Sequence, residues 1–362
     1  MIVPTTNDGT PYDPHDIDLA AIWEHYRSAN FLYPAKLQRL EPLMDRISKG
    51  WPALLAAPAD IFQLHLARKN RKILSSICAF RDTGQTYVLQ HAVSEDQPWH
   101  MIDCIQSMTA AMGDDREVRF VSMYFRPENR WPVQFARTVT DVHPPGLTRT
   151  KTQEYLICKP MDATMALPFH AQVEELGDEA NLEVANLAIA SLGRLQSAAS
   201  GLGTDHRNSG VLKERYAAFG LVRERKLWGA FRDGALAGVA LCHVSGFPMN
   251  FSFLCGRVEI LVHPRAPDRA NLVRDLARAA IREAALRNEP ICALLVEPAD
   301  VPAAVAGGFS ATGKQYSNLL WARENEQGWP SCATAFERWY AKIRQRYARA
   351  GQRSEDRLSG RL

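Results

Sequence analysis

A chain of 362 residues, 46% hydrophobic and 23% charged, has the make-up of a globular protein and length enough for two separate cores. Its formal charge of +3 tolerates an anionic ligand without demanding nucleic acid, and nucleic acid is not expected as a partner. No apolar run reaches the length of a membrane span, and the opening MIVPTTNDGTPYDPHDID lacks the basic-then-apolar order of a signal peptide, so the expected compartment is the cytoplasm.

Residues 1–18 are polar and read as an arm. From Leu19, apolar residues recur at helical spacing (Ala20, Trp23, Tyr26, then Leu37, Leu40, Met44, Ile47), broken at Pro34 and Pro42 and closed at Lys49-Gly50-Trp51-Pro52. The period then changes. IFQLHLAR, ILSSICAF and TYVLQHAV read as strands, with Arg81-Asp82-Thr83-Gly84 as the turn between the last two. A helix from Trp99 to Met112, a strand VRFVSMYF, a short helix from Trp131 to Val139 and a strand TQEYLIC follow.

After Pro160 the order begins again. A helix is predicted from Glu179 to Ala199, another from Val211 to Phe219, then the hairpin LWGAFRDGALAGVALCHV. Val258, Ile260, Leu261 and Val262 form a short strand. A long helix comes next, with Leu272, Val273, Leu276, Ala280 and Ala284 on one face and Arg274, Arg278 and Arg282 opposite. The strand ICALLVEP, a helix from Val301 to Ala306, Gly307-Gly308-Phe309 and the strand YSNLLWAR complete the unit. Phe336, Tyr340, Ile343 and Tyr347, interleaved with arginines and lysines, predict a basic terminal helix docked on the second unit.

Ala79-Phe80-Arg81-Asp82 with Gly84 recurs as Ala230-Phe231-Arg232-Asp233 with Gly234, each at a hairpin bend, and the order of elements afterwards is shared. A tandem duplication is the expectation. The seven cysteines are widely spaced and mostly sit in apolar runs, which reads as reduced core thiols. No CxxC, HExxH or histidine-rich spacing is present, so no metal site is expected.

The second unit resembles the GNAT superfamily of acyl-CoA N-acyltransferases. VEILVHP followed by a helix resembles that family's central strand and cofactor helix, and Gly308-Phe309 through Trp321 resembles its final hairpin. The resemblance implies an α/β (α+β) fold of two GNAT-like lobes, each a mixed, mostly antiparallel sheet flanked by helices, plus a C-terminal helix. The expected divisions are an arm at 1–18, a degenerate first lobe at 19–162, a second lobe at 163–328, and a basic helix and tail at 329–362.

The family's phosphate loop reads Arg/Gln-x-x-Gly-x-Gly/Ala. Here, from Pro264 to Leu272, the glycines are absent, Pro267 removes an N–H donor and Asp268 adds a negative charge. If either lobe holds a donor, the resemblance points to the second, with Val262, Arg265, Arg269, Ala270 and Asn271 around it. Glu259, Leu261 and His263 share a strand face. Glu259, raised towards neutrality by apolar surroundings, or His263 could take a proton from an attacking ammonium. Equally, Glu259 could pair with an arginine and His263 could be a structural turn residue. Tyr316 would be the acid for a leaving thiolate, or an ordinary strand tyrosine. No sequence neighbour marks Cys255 as an activated nucleophile.

The implied activity moves an acyl group from a thioester, acyl-CoA or an acyl carrier protein, to an amine on a small molecule or protein. The alternative is an inactive two-lobed scaffold that binds an anionic regulator or a protein partner.

Overall fold

The structure, a computed structural model, describes residues 17–69, 72–95, 98–160, 169–202, 208–246, 248, 250–325, 329, 334, 337–341 and 345. The first half runs α1 (Leu19–Ser28), α2 (Pro34–Leu40), α3 (Met44–Ala56), β1 (Phe62–Lys69), β2 (Lys72–Thr83), β3 (Thr86–Ser94), α4 (Pro98–Asp114), β4 (Phe120–Phe125), α5 (Arg130–Val142) and β5 (Thr148–Cys158). The second runs β6 (Gln172–Glu175), α6 (Asn181–Leu192), α7 (Arg194–Ala199), α8 (Asn208–Ala217), β7 (Arg223–Arg232), β8 (Ala235–Ser245), β9 (Arg257–Val262), α9 (Arg269–Leu286), β10 (Cys292–Val296), α10 (Val301–Ala306) and β11 (Ser310–Ala322).

Local chemistry accounts for most of these boundaries. The side chain of Asp18 caps α1 by accepting from the Ala20 N–H at 3.0 Å, and Pro34 opens α2, where its missing N–H costs nothing. Asp233 and Gly234, at φ of 51° and 77°, make the two-residue turn joining β7 to β8, a conformation that favours an Asp-Gly pair. Two helix predictions are corrected. The helix expected to run unbroken to Ala199 divides at Gly193, whose φ of 79° ends α6 and starts α7. The stop expected at Pro52 does not occur: α3 continues to Ala56, holding Trp51 and Leu54 in the core. Strand β6 lies in no predicted element.

The strands form one mixed sheet in the order β1-β2-β3-β4-β11-β5-β10-β9-β8-β7-β6. Among the described residues β3–β4 and β9–β10 are the parallel pairs, each joined by a crossover helix, α4 and α9, and the other neighbours are antiparallel. The α/β architecture expected from the resemblance, mixed and mostly antiparallel with helices on its faces, is what the chain adopts, with the expected two sheets merged into one. On α9 the predicted apolar face is buried, with Leu272, Val273 and Leu276 at 0% exposure, each burial contributing about 1.5–3 kcal/mol.

The strand order also reveals an exchange. β11, which closes the second half in sequence, pairs with β4 of the first half, while β5 pairs with β10 of the second. β5 and β11 pair with each other along the middle of the sheet, where the Thr152 and Ser317 hydroxyls meet at 2.7 Å. Side chains follow their strands. Leu319 and Trp321 belong to the core under α4 and α5, and Leu156 and Cys158 to the core under α9.

The duplicated order stands, but the four-residue identity does not mark it. Ala79–Asp82 leads into the turn between the second and third strands of its half, β2 and β3. Ala230–Asp233 leads into the turn between β7 and β8, one strand further ahead of its crossover helix, since β9 intervenes before α9. The corresponding joints are β3–α4 and β9–α9. The terminal helix is corrected as well: Trp339, 5.5 Å from Trp131 and 6.4 Å from Phe135, packs on α5 of the first half. β11 ends beside Phe120, so the chain is delivered there and not to the second half. Phe336, Ile343 and Tyr347 lie outside the described residues.

Candidate functional site

Each parallel strand pair parts at its carboxyl end. Pairing of β3 with β4 ends at Leu89–Met123, and pairing of β9 with β10 ends at Glu259–Leu295. In β3 the separation coincides with a bulge: the register against β2 slips between Gln90 and Val93, and His91 has a φ of 53°. Backbone groups freed where parallel strands part face a slot at the start of the following helix.

The first slot is open. It widens into a cavity of about 690 Å³, within the range of small-molecule sites. Gln90 to Ser94 of β3, Glu95 just after it, Tyr124 to Arg126 at the end of β4, and Met101 in the first turn of α4 line it. Tyr33, Lys36 and Arg39 of the α2 region, Phe251 to Leu254, and Lys314 and Tyr316 of β11 complete the wall. The second half thus furnishes part of the first half's cavity.

Its charges are unevenly matched. Lys36 is 9% exposed, with its Nζ 3.5 Å from the centre of the Phe31 ring. Burial, with Lys314 and Arg126 nearby, lowers its pKa to about 7. Lys314 donates to the Tyr33 hydroxyl at 3.2 Å. Among the described residues neither Lys36, Arg39 nor Lys314 forms an ion pair with a carboxylate, whereas Arg126 pairs with Glu128. Glu95 at another wall is satisfied, 2.6 Å from Lys72 and bonded to Ser28. His91, 6% exposed and stacked on Phe251 at 4.8 Å, has no hydrogen-bond partner at either ring nitrogen among the described residues, and burial holds it well below the usual imidazole range. The Gln90 Nε2 is also unpartnered.

The second slot is filled by its own side chains. A cavity of about 110 Å³ remains, lined by Glu259 to Val262, Leu295 to Glu297, Arg269 and Asp300. Arg269, the first residue of α9, makes a two-pronged bond to Asp300, both contacts at 2.8 Å, and its third nitrogen donates to the Val262 carbonyl at 3.3 Å. Ser191 donates to the same carbonyl at 3.2 Å. The freed backbone acceptor is therefore already engaged.

Glu259 lies within a buried charge network. Its Oε1 accepts from the Arg257 Nε at 2.7 Å and lies 3.4 Å from the His243 Nε2. Arg257 bonds Asp82 at 3.2 Å, and Arg223 bonds Asp82 and, at 2.9 Å, His243. Burial would push the Glu259 carboxyl up, but Arg257 and His243 together hold it at about 2, opposite to the shift expected of a base raised towards neutrality. Burial carries His243 down to about 3 and the Cys255 thiol up to about 12, which leaves that thiol no nucleophile. Cys78, Cys104, Cys158, Cys242, Cys255 and Cys292 are all buried and unbridged, and Cys332 lies outside the described residues.

No family model matches the chain, and no curated protein matches it in sequence. Among solved structures, a tandem GNAT protein from the clavulanic acid biosynthesis pathway is 14% identical, at a TM-score of 0.40 over 75% of this chain and 86% of that one. A GNAT-family acetyltransferase from Colwellia psychrerythraea is 12% identical, at 0.38 over 79% and 96%. An N-acetyltransferase-like protein from Streptococcus suis is 9% identical, at 0.43 over 79% and 99%. Superpositions this loose leave the chain's own strand order and cavities to carry the functional reading.

The two halves separate the residues singled out in the sequence. Glu259, Val262 and Arg269 line the small second slot, while Tyr316 lines the large first one. Arg265 and Ala270 are exposed, and the Asn271 side-chain amide donates to Asp268 at 2.5 Å. His263 accepts from the Arg265 N–H at 3.2 Å, a turn contact. Lys36, Arg39, Arg126 and Lys314 escaped sequence reasoning. Their one signal is the lysine and arginine spaced three apart in PAKLQRL, which reads equally as a solvated helix face. No helix among the described residues is long and apolar enough to cross a membrane.

Proposed function

We propose that the chain is an acyltransferase whose donor, an acyl-CoA or the thioester of an acyl carrier protein, lies in the first slot, with an amine as acceptor. The observation that carries this reading is the pairing of an open β3–β4 separation with a cavity of about 690 Å³ at the first turn of α4. The second half's slot, filled by Arg269 and Asp300, serves as scaffold and supplies Lys314 and Tyr316 to the first.

The cavity wall holds groups for both proton transfers. Lys36, lowered to about 7 by burial among cations, takes one proton from the acceptor ammonium. The amine nitrogen then bonds to the thioester carbon as the carbon–sulfur bond breaks. Tyr316, whose phenol burial keeps protonated, gives its proton to the departing thiolate and recovers one from the new amide nitrogen.

The test is calorimetric titration of the full chain with acetyl-CoA, a longer acyl-CoA and an acylated carrier protein, repeated with Ala92→Trp to crowd the cavity. Binding of one donor, lost in that variant, is expected. Absence of binding by all three would remove the donor reading and leave the scaffold alternative, an anionic ligand in the same cavity without catalysis.

A further inference from the structure

Three elements that have no part in the β3–α4 joint bring cations to one cavity. Lys36 and Arg39 come from α2, Arg126 from the end of β4, and Lys314 from β11. Lys314 and Arg126 both lie near enough to depress Lys36, so these groups are gathered. Among the described residues Lys36, Arg39 and Lys314 have no carboxylate opposite them. Gathering uncompensated cations in a partly buried wall costs free energy unless an anion is held there. At the β3–α4 joint, by contrast, the charge is already matched: Glu95, close to α4 in sequence, is bound to Lys72.

A donor's phosphates fit the start of α4, since the positive end of a helix favours an anion. The α2–β4–β11 cations therefore await a different anion. Around them, Gln90 Nε2 and both nitrogens of His91, side chains more than nine-tenths buried, have no hydrogen-bond partner among the described residues and line the same space. Tyr33 and Phe31 provide flat apolar walls.

We infer that Arg39 and Lys314, with the Arg126–Glu128 pair beside them, form a pocket for a small oxyanion, a carboxylate or a phosphate, on the second substrate. In terms of the reaction above, on which this rests, the acceptor is an acidic amine: one that carries such a group besides its nitrogen. The pocket orients the acceptor by its anion and leaves the nitrogen facing Lys36 and the thioester.

The experiment uses the full chain, with inorganic phosphate and succinate as probes at constant ionic strength, followed by calorimetry and by thermal shift. Saturable binding of at least one probe is expected, with the stronger probe identifying phosphate or carboxylate as the group. Arg39→Met and Lys314→Met should each weaken it about tenfold or more, as loss of one charge-assisted contact implies. Saturating acetyl-CoA should leave probe binding in place. Displacement of the probe by acetyl-CoA would assign the cations to the donor and overturn the inference, as would absence of saturable binding, or binding indifferent to both substitutions. If the probe binds but neither acyl-CoA nor the acylated carrier protein does, the oxyanion pocket stands and the donor reading falls.

Discussion

The two slots of this chain begin alike and end differently. Each opens where a parallel strand pair parts ahead of a crossover helix, yet one leads to about 690 Å³ and the other to about 110 Å³. In the second, Arg269 crosses from α9 to Asp300 and occupies the space with a guanidinium–carboxylate pair. Beside it Glu259 is tied to Arg257 and His243. At the register position of Glu259, the first half has Leu89, which makes no such demand on its neighbours. Backbone topology creates the opening, and a few polar side chains decide whether it stays available.

The strongest way to break this contrast is at Asp82, the carboxylate of the first half that holds Arg223 and Arg257 of the second. Both guanidiniums are almost enclosed, so Asp82→Asn should destabilise the fold by about 3–5 kcal/mol in urea denaturation. A loss under about 1 kcal/mol would mean that solvent reaches the network.

Glu259→Gln should cost about 1–3 kcal/mol near neutral pH. Because the folded carboxyl is held at about 2 against 4.5 in an unfolded chain, its contribution is fully present above about 4.5 and lost as the pH falls through about 2. The variant should therefore lack that part of the acid-induced loss, and parallel profiles for the two proteins would contradict the network described here.

Lys36→Met has the opposite sign. Removing a nearly buried, unpaired amine should stabilise the protein by about 1–2 kcal/mol while abolishing transfer. The folded lysine gives up its proton near 7 and the unfolded one near 10.5, so the native protein gains stability relative to this variant as the pH rises between those values. Thermal midpoints measured across that range decide the point. The smallest effect belongs to Arg269→Ala. Its pair is partly exposed, so the loss should stay below about 1 kcal/mol, and calorimetry should still find a single donor bound per chain. A second bound donor would mean that the arginine alone closes the second slot.

Much of the fold was legible in the chain, because period and punctuation are local. The apolar spacing from Leu272 to Ala284, the Asp233-Gly234 turn and the repeated strand-helix-strand order each declare themselves within a few residues. The exchange of β5 and β11 was not legible. Both strands are apolar and similar, and nothing local states which neighbour each will choose. The site depended on that choice: Tyr316 and Glu259 read as companions on one lobe until β11 carried Tyr316 to the other. Glu259 itself was open to two readings, base or arginine partner, and Arg257, two residues away, is the partner in the structure. Arg39 and Lys314, distant in sequence and unremarkable in context, become neighbours only through the same exchange.

The position of β11 bears on how such a protein is made. During synthesis the first half emerges with β4 lacking its neighbour, and that place stays vacant until Ala322 has left the ribosome. An exposed strand edge is held open for the time taken to translate the entire second half, a period in which β4 can pair with the wrong chain. β5 meanwhile waits for β10, so neither half can complete its own sheet. Synthesised as two separate polypeptides divided between Pro160 and Phe169, the halves should each be aggregation-prone alone and soluble together, since each carries the strand that finishes the other.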